Sequence, residues 1–334
     1  MKVLITGVAG FMGSHLADEF IKRGHAVVGI DNLLGGYYEN VPSAVEFYAK
    51  DLGDFDLVNE HFIGVDLVVH TACTAYEGLS VFSPALVTRN TSHIATVALS
   101  SSIKHGVKKF VHMSSMARYG TQDIVPFVES MTPKPQDPYG ISKYATELLI
   151  KNLCETHGMK YVILVPHNII GPRQKYDDPF RNVASIMINR MLQGKQPIIY
   201  GDGSQMRCFS FIQDVVDPLM VVCETDIADG MIINIGPDEE FITINELAKK
   251  IADILNFNLD PIYMLGRPQE VINANCSADL ARKILGYKTK KSLDAGLLEL
   301  CTWIKSQGTK EFSYHLPLEF ITDKTPRTWV EHII

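Results

Sequence analysis

Apolar residues first recur along the chain in short, almost unbroken runs, at 3–6, 26–30, 46–48, 67–70, 110–113 and 162–165. Runs of that length read as β-strands. Between them lie longer stretches whose apolar residues return every three or four positions, notably 11–23, 84–105 and 138–157, which read as helices. A strand that is apolar at nearly every position is covered on both faces, and strands that alternate with helices are joined by crossovers. The pattern therefore predicts an α/β fold built on a doubly wound parallel sheet. After Gly171 the rhythm changes, with more Pro, Gly and charge. One further strand pair, 208–212 and 231–235, is expected to rejoin the sheet. Helices are expected at 244–255, 278–285 and 293–303. The domain reading is 1–172 for the sheet-based half and 173–207 with 236–334 for a smaller C-terminal α/β substrate domain. From about Gly308 the chain is expected to form an irregular tail laid on the surface.

Composition narrows the function. The 334 residues are 46% apolar and 21% charged, with a formal net charge of −7. No run of Lys and Arg is long enough to grip nucleic acid or an anionic membrane. No apolar stretch approaches the ~18 residues needed to cross a bilayer, and no targeting segment precedes the first strand, so a cytoplasmic location is expected. The six cysteines lack paired or metal-ligand spacing and read as reduced, mostly core-like thiols; no metal site is expected.

The first strand runs into Gly7-Val8-Ala9-Gly10-Phe11-Met12-Gly13 and then a helix. Glycines there permit a tight turn and close approach of backbone to a pyrophosphate, which the helix N-terminus attracts through its free N–H groups and dipole. The second strand ends at Asp31, whose carboxylate suits a ribose 2′-hydroxyl and repels a 2′-phosphate, favouring NAD over NADP. Asp51-Leu52 after the third strand is a candidate for framing the adenine.

The second landmark is Asp137-Pro138-Tyr139-Gly140-Ile141-Ser142-Lys143. Asp137 suits a helix cap and Pro138 the first turn. Tyr139 and Lys143 then share one helical face. A phenol has a pKa of about 10, and holding it near ~7 takes roughly 4 kcal/mol of phenolate stabilisation. A neighbouring ammonium, with the positive nicotinamide of oxidised NAD, has the right sign for that and would make Tyr139 a general base. Tyr287 and Lys291 repeat the spacing but lack this context, and are read as a solvated basic patch. Ser114-Ser115 ends the strand at 110–113, on the side where a parallel sheet holds its ligand.

With these residues in hand, the chain resembles the extended short-chain dehydrogenase/reductase family, in its nucleotide-sugar epimerase and dehydratase branch, from residue 1 to about 305. The resemblance is carried by GVAGFMG (7–13), Asp31, DLGD (51–54), VVHTAC (68–73), Asn90, SSMARYG (114–120), YGISK (139–143), HNIIGPRQ (167–174), YGDGSQMR (200–207) and GRPQEV (266–271). It implies a Rossmann-type fold, with Ser115, Tyr139 and Lys143 as the catalytic triad. It implies that Gly7, Gly10, Phe11, Met12, Gly13, Asp31, Asn32, Asp51, Leu52, Thr71, Ala72, Asn90, Ser114, Tyr139 and Lys143 hold NAD. It gives Ser115, Asn168, Arg207 and Arg267 to the nucleotide-sugar substrate, with the arginines on the diphosphate; Glu77, in a loop that faces the sugar in the family, is read either as a further substrate contact to a hydroxyl or amine or as a plain solvent-exposed loop charge. It also implies a homodimer through the helices at 84–105 and 138–157.

Acidic residues at one or both positions after the serine support elimination and decarboxylation in the dehydratases and decarboxylases of that family. Here Met116 and Ala117 stand there, and neither can move a proton. The implied activity is NAD-dependent 4-epimerisation of a nucleotide sugar, with a UDP-hexose as the expected substrate: transient oxidation at C4, rotation of the 4-keto sugar and hydride return. A 4-ketoreductase or dehydratase, a 3,5-epimerase and a non-catalytic NAD-binding sensor remain as alternatives. Tyr76-Glu77-Gly78, His167 and Cys208 depart from the residues common in the family at those places, which leaves the sugar open.

Overall fold

The computed structural model describes residues 1–334. Seven apolar segments pair as strands: β1 (Lys2–Thr6), β2 (Ala26–Asp31), β3 (Glu46–Ala49), β4 (Leu67–His70), β5 (Lys109–Met113), β6 (Lys160–Pro166) and β7 (Ile232–Ile235). They form one sheet in the order β7-β6-β5-β4-β1-β2-β3, every neighbouring pair parallel. Val3 is in register with Val27 on one side and Leu67 on the other. The chain thus leaves β1 towards β2 and β3, then returns to β4 on the opposite side. Such a reversal opens a crevice at the strands' C-terminal ends.

The helices used below are α1 (Phe11–Lys22), α2 (Ile94–Lys104), α3 (Pro138–His157), α4 (Val183–Leu192), α5 (Ile212–Glu224), α6 (Ile244–Leu255) and α7 (Leu293–Gln307). Val3 and Ile5 pack with Leu16 and Phe20 of α1 and with Val215 and Leu219 of α5. Leu4, between them, faces the opposite layer with Val97 and Leu99 of α2 and Ile150 of α3. Successive side chains of a strand point to opposite faces, so a strand buried on both sides shows no alternation. Each such side chain contributes roughly 1.5–3 kcal/mol by leaving water. A separate apolar cluster joins Met187 of α4, Leu247 of α6 and Leu297 of α7 beyond the sheet's C-terminal edge. None of the helices is long and apolar enough to cross a membrane.

Four expectations change. Only Ile232–Ile235 joins the main sheet; Met206–Cys208 pairs with Phe241–Thr243 and Asn273–Ala274, and Ser210–Phe211 with Ile169–Ile170. A strand pattern states that a segment will pair, and with which partner is decided by tertiary packing. The helix expected at 84–105 is interrupted: Pro84–Thr88 and α2 flank a π-helical turn at Arg89–His93. Tyr287 is buried in the main core rather than solvated, and Lys291 pairs with Glu299 while its ammonium lies 3.9 Å from the Phe211 ring centre. The tail is irregular, but it is docked: Leu316, Trp329 and Ile334 are buried with Tyr76, Phe82 and Phe180.

Candidate active site

The C-terminal ends of the strands and the segments beyond them enclose one cavity of about 430 Å³. At its β1 end the glycines are set by contact. Gly7 has φ +76°, and a Cβ there would lie 2.8 Å from the Ala72 backbone; one on Gly13 would lie 2.2 Å from the Gly7 carbonyl oxygen. Gly10 caps α1 without a side-chain hydrogen bond, so the N–H groups of the first turn stay available. Asp31 accepts from the N–H of Leu33 at 2.7 Å and of Ala9 at 3.0 Å. Burial pushes its carboxyl up, against the pull of those N–H groups. A bare cradle of backbone donors beside a strand-end carboxylate fits NAD, with pyrophosphate on the α1 N-terminus and ribose at Asp31.

Phe11, Met12, Asn32, Leu52, Thr71, Ala72 and Asn90 line the same cavity. Thr71 donates its hydroxyl to the Thr6 carbonyl at 2.7 Å, which ties the ends of β4 and β1 together. Asn90 sits on the π-turn and is buried. A single wide turn re-aims a side chain without ending the helix, which accounts for the break there. Asp51 is paired with Arg89 at 2.9 Å and accepts from the Gly53 N–H at 2.8 Å. Partial burial opposes its charge, but Gly53 and Arg89 prevail and hold its carboxyl below the usual range.

The catalytic candidates lie at the ends of β5 and α3. Asp137 caps α3 by accepting from the Gly140 N–H at 2.9 Å, with Pro138 in the first turn. A Cβ on Gly140 would lie 2.6 Å from the Ala117 carbonyl oxygen, so the glycine lets the helix start press against the Ser115 turn. Ser115 accepts from the Ala117 N–H at 3.2 Å. Lys143 is buried; its ammonium donates to the Met113 carbonyl at 2.7 Å and lies 5.8 Å from the Tyr139 ring centre. Burial drives the Tyr139 phenol well above its ordinary pKa, nearby Cys73 adds to this, and the Ser115 hydroxyl works against it. The expected lowering of Tyr139 calls on the positive nicotinamide of bound NAD as well as on the Lys143 ammonium. The Ser114 hydroxyl donates to Glu147, which also holds Arg118 at 3.0 Å. Ser114 therefore serves the cavity wall mainly through its backbone.

The far end of the cavity carries the basic residues. Arg267 donates to Glu270 at 2.9 Å and lies over the Tyr200 ring, while Arg207 donates to the Ile272 carbonyl at 2.9 Å and is 3.6 Å from Glu270. The Arg267 Nε is buried without a partner. Asn168, at φ +38°, donates to the Cys208 carbonyl at 3.0 Å. Glu77 also faces the cavity, between Tyr139 and the arginines. Glu77 is open to the water of the cavity, with the cavity walls and Asp137 around its carboxyl. Burial first, then Asp137, push it up to about 7 against Arg207 and Arg267.

The NAD-dependent epimerase/dehydratase family model matches residues 3–236. The chain belongs to that family. Members are NAD-dependent enzymes, and the α/β fold with its seven-stranded parallel sheet is the family's. A UDP-glucose 4-epimerase from Thermotoga maritima, solved with UDP-glucose, superposes with a TM-score of 0.88 at 33% identity, covering 92% of this chain and 99% of that one. UDP-glucose 4-epimerase from Mycolicibacterium smegmatis is 31% identical, over 92% of this chain and 100% of its own length. UDP-N-acetyl-alpha-D-glucosaminuronate decarboxylase from Bacillus cytotoxicus is 30% identical, over 91% and 98%. Similarity to this family thus spans more than one reaction.

Among the cavity residues that sequence reasoning did not place there are Glu270, Arg181, Cys73 and Ile334. Glu270 was in the GRPQEV motif, and its spacing of three from Arg267 was a readable signal. Arg181 lines the wall, donating to the Gly35 carbonyl at 2.7 Å and lying 4.8 Å from the Tyr76 ring centre. Cys73, the last residue of the VVHTAC motif, and Ile334, which carried no local signal, also line it.

Proposed function

We propose that this family member is an NAD-dependent nucleotide-sugar 4-epimerase acting on a UDP-hexose. The observation that supports this most is one cavity holding Ser115 and Tyr139 on one side and Arg207 and Arg267 on the other. A sugar whose diphosphate is clamped by the arginines reaches the hydroxyl pair with its opposite end. Guanidinium groups suit phosphate oxygens because their paired donors match them. Bound NAD supplies the hydride acceptor and donor and a positive charge near Lys143. Tyr139 removes the 4-hydroxyl proton, Ser115 positions that hydroxyl, and Lys143 holds the ribose side of the cofactor. The clamped diphosphate keeps the 4-keto sugar in the cavity while it turns. Tyr139 then returns the proton to the oxygen at the inverted carbon.

Met116 and Ala117 cannot move protons, which favours epimerisation over the decarboxylation named for the Bacillus cytotoxicus relative. In the same reading, residues 1–172 form the cofactor half and 173–207 with 236–334 the substrate half. A homodimer forms through the exposed apolar stripe Ile141, Leu148 and Leu149 of α3; a monomer in sedimentation velocity would remove that part.

The test is NMR of the purified protein with UDP-glucose, UDP-N-acetylglucosamine, UDP-glucuronate and their C4 epimers, with no cofactor added. The expected result is a C4 epimer without net reduced cofactor, and a loss of turnover of at least about a thousand-fold in Tyr139→Phe, the scale on which general-base removal acts. No conversion of any of them sinks the UDP-linked reading. Near-normal turnover by Tyr139→Phe sinks the mechanism.

A further inference from the structure

We infer that Glu77 selects the sugar: its carboxyl accepts a hydrogen bond from a neutral or amino-bearing hexose and disfavours a uronate. The inference rests on the nucleotide-sugar reading of the cavity and adds the class of sugar. Glu77 makes no side-chain ion pair or hydrogen bond of its own, although two arginines stand nearby. Arg267 is turned to Glu270 at 2.9 Å, and Arg207 to the Ile272 and Met206 carbonyls at 2.9 and 2.8 Å. The backbone at Glu77 is held by both lobes. Ser80 donates its hydroxyl to the Glu77 carbonyl at 2.6 Å, and a Cβ on Gly78 would lie 3.1 Å from Trp329 and 3.4 Å from an Arg267 nitrogen.

Glu77 lines the cavity with its carboxyl unpaired by protein, free to accept from a ligand, and carboxyls with perturbed protonation gather at such sites. Its place between Tyr139 and the arginines is where the sugar ring lies once its diphosphate is clamped. An acceptor-only group there favours hydroxyl or ammonium donors. A carboxylate on the sugar would meet Glu77 and Glu270 in the cavity, with the buried Asp137 behind them, while Arg207 and Arg267 are occupied by the diphosphate. Because burial pushes Glu77 up to about 7, discrimination against a uronate weakens below neutral pH. The groups facing it are Asp137 and Tyr139 from α3, Arg207 from Met206–Cys208, and Arg267 and Glu270 from the segment after Ile262–Met264.

The experiment measures binding of UDP, UDP-glucose and UDP-glucuronate to the NAD-loaded protein and to Glu77→Gln, by calorimetry between pH 6 and pH 8.5. Expected are unchanged UDP affinity, a loss of about ten- to a hundred-fold for UDP-glucose in the variant, and a gain for UDP-glucuronate. The wild type should also bind UDP-glucuronate more tightly as pH falls, whereas the variant should not. Parallel affinities in both proteins overturn the inference, as would solvent deuterium entering a ring carbon in the wild type alone, which would make Glu77 an acid–base. If the affinities part at Glu77 yet no C4 epimer ever forms, the epimerase reading fails and the selectivity stands. Failure of UDP itself to bind overturns both.

Discussion

Glu77 shows at the scale of one residue how a site is stored at a cost to the fold. Its carboxyl moves from an ordinary 4.5 to about 7, chiefly because the cavity walls around it partly desolvate it, with the charge of Asp137 adding to this. Between those values the folded protein keeps a proton that the unfolded chain has released. The associated stability is therefore fully present below about pH 4.5 and lost as pH rises through about 7. Glutamine cannot titrate, so Glu77→Gln should melt higher than the wild type at pH 8, by roughly 1–3 °C given the screening of cavity water. The gap should close towards pH 5. Equal melting points at both pH values would mean that Glu77 is not held in the crowded position. The acid itself was readable as a departure from the family pattern, but its place was not: only the fold brings this loop glutamate into the cavity beside Asp137 and the two arginines.

At the scale of elements, the start of α3 sets two rules against each other. Gly140 lies in the first turn of a helix, where alanine would be better by about 1 kcal/mol on propensity. The Ala117 carbonyl 2.6 Å from its absent Cβ says the opposite. Backbone contact wins on function, because neither partner can yield without moving Ser115 or Tyr139. Gly140→Ala should leave global stability within about 1 kcal/mol, the propensity gain offsetting the strain. Turnover should fall by about a hundred-fold, as expected for reacting groups misplaced by an ångström. Stopped-time NMR assays set beside urea unfolding check both halves; full turnover would show that the helix start has slack. The same element explains what sequence could and could not supply. Asp137, Pro138 and the four-residue spacing of Tyr139 and Lys143 each act within one turn, and all were legible. The π-turn carrying Asn90 packs on α3 and takes the Thr74 N–H on the Asn90 carbonyl at 3.1 Å, contacts that the local pattern does not carry, so the run 84–105 read as one helix.

The tail sets the scale of the whole molecule, because its contacts join segments far apart in the chain. Ser83 donates to the Pro317 carbonyl at 2.6 Å, His315 meets the Leu34 carbonyl at 3.1 Å, and Arg190 donates to the Ile333 carbonyl at 3.0 Å. Trp329 packs edge-on to Phe82 and Phe180, and Ile334 reaches the cavity wall. Nothing in the local pattern of residues 308–334 announces this, since scattered aromatics and prolines look alike whether they lie on a surface or bridge two lobes. The contacts bind the Glu77 loop to the segment after Ile169–Ile170, and at the cofactor end they reach only the loop after Asp31, through Leu34 and Tyr37, without touching residues 7–13. Removing residues 309–334 should therefore raise KM for the nucleotide sugar at least about ten-fold while NAD affinity holds. Trp329→Ala gives a second handle should the truncated chain not fold. The loss of one buried indole costs about 3–5 kcal/mol, and here it falls on the strap rather than on the sheet. Fluorescence titration of NAD alongside steady-state kinetics separates the two sites. An unchanged KM in both variants would reduce the tail to a surface covering, and loss of NAD in step with the sugar would mean that the lobes fold as one unit.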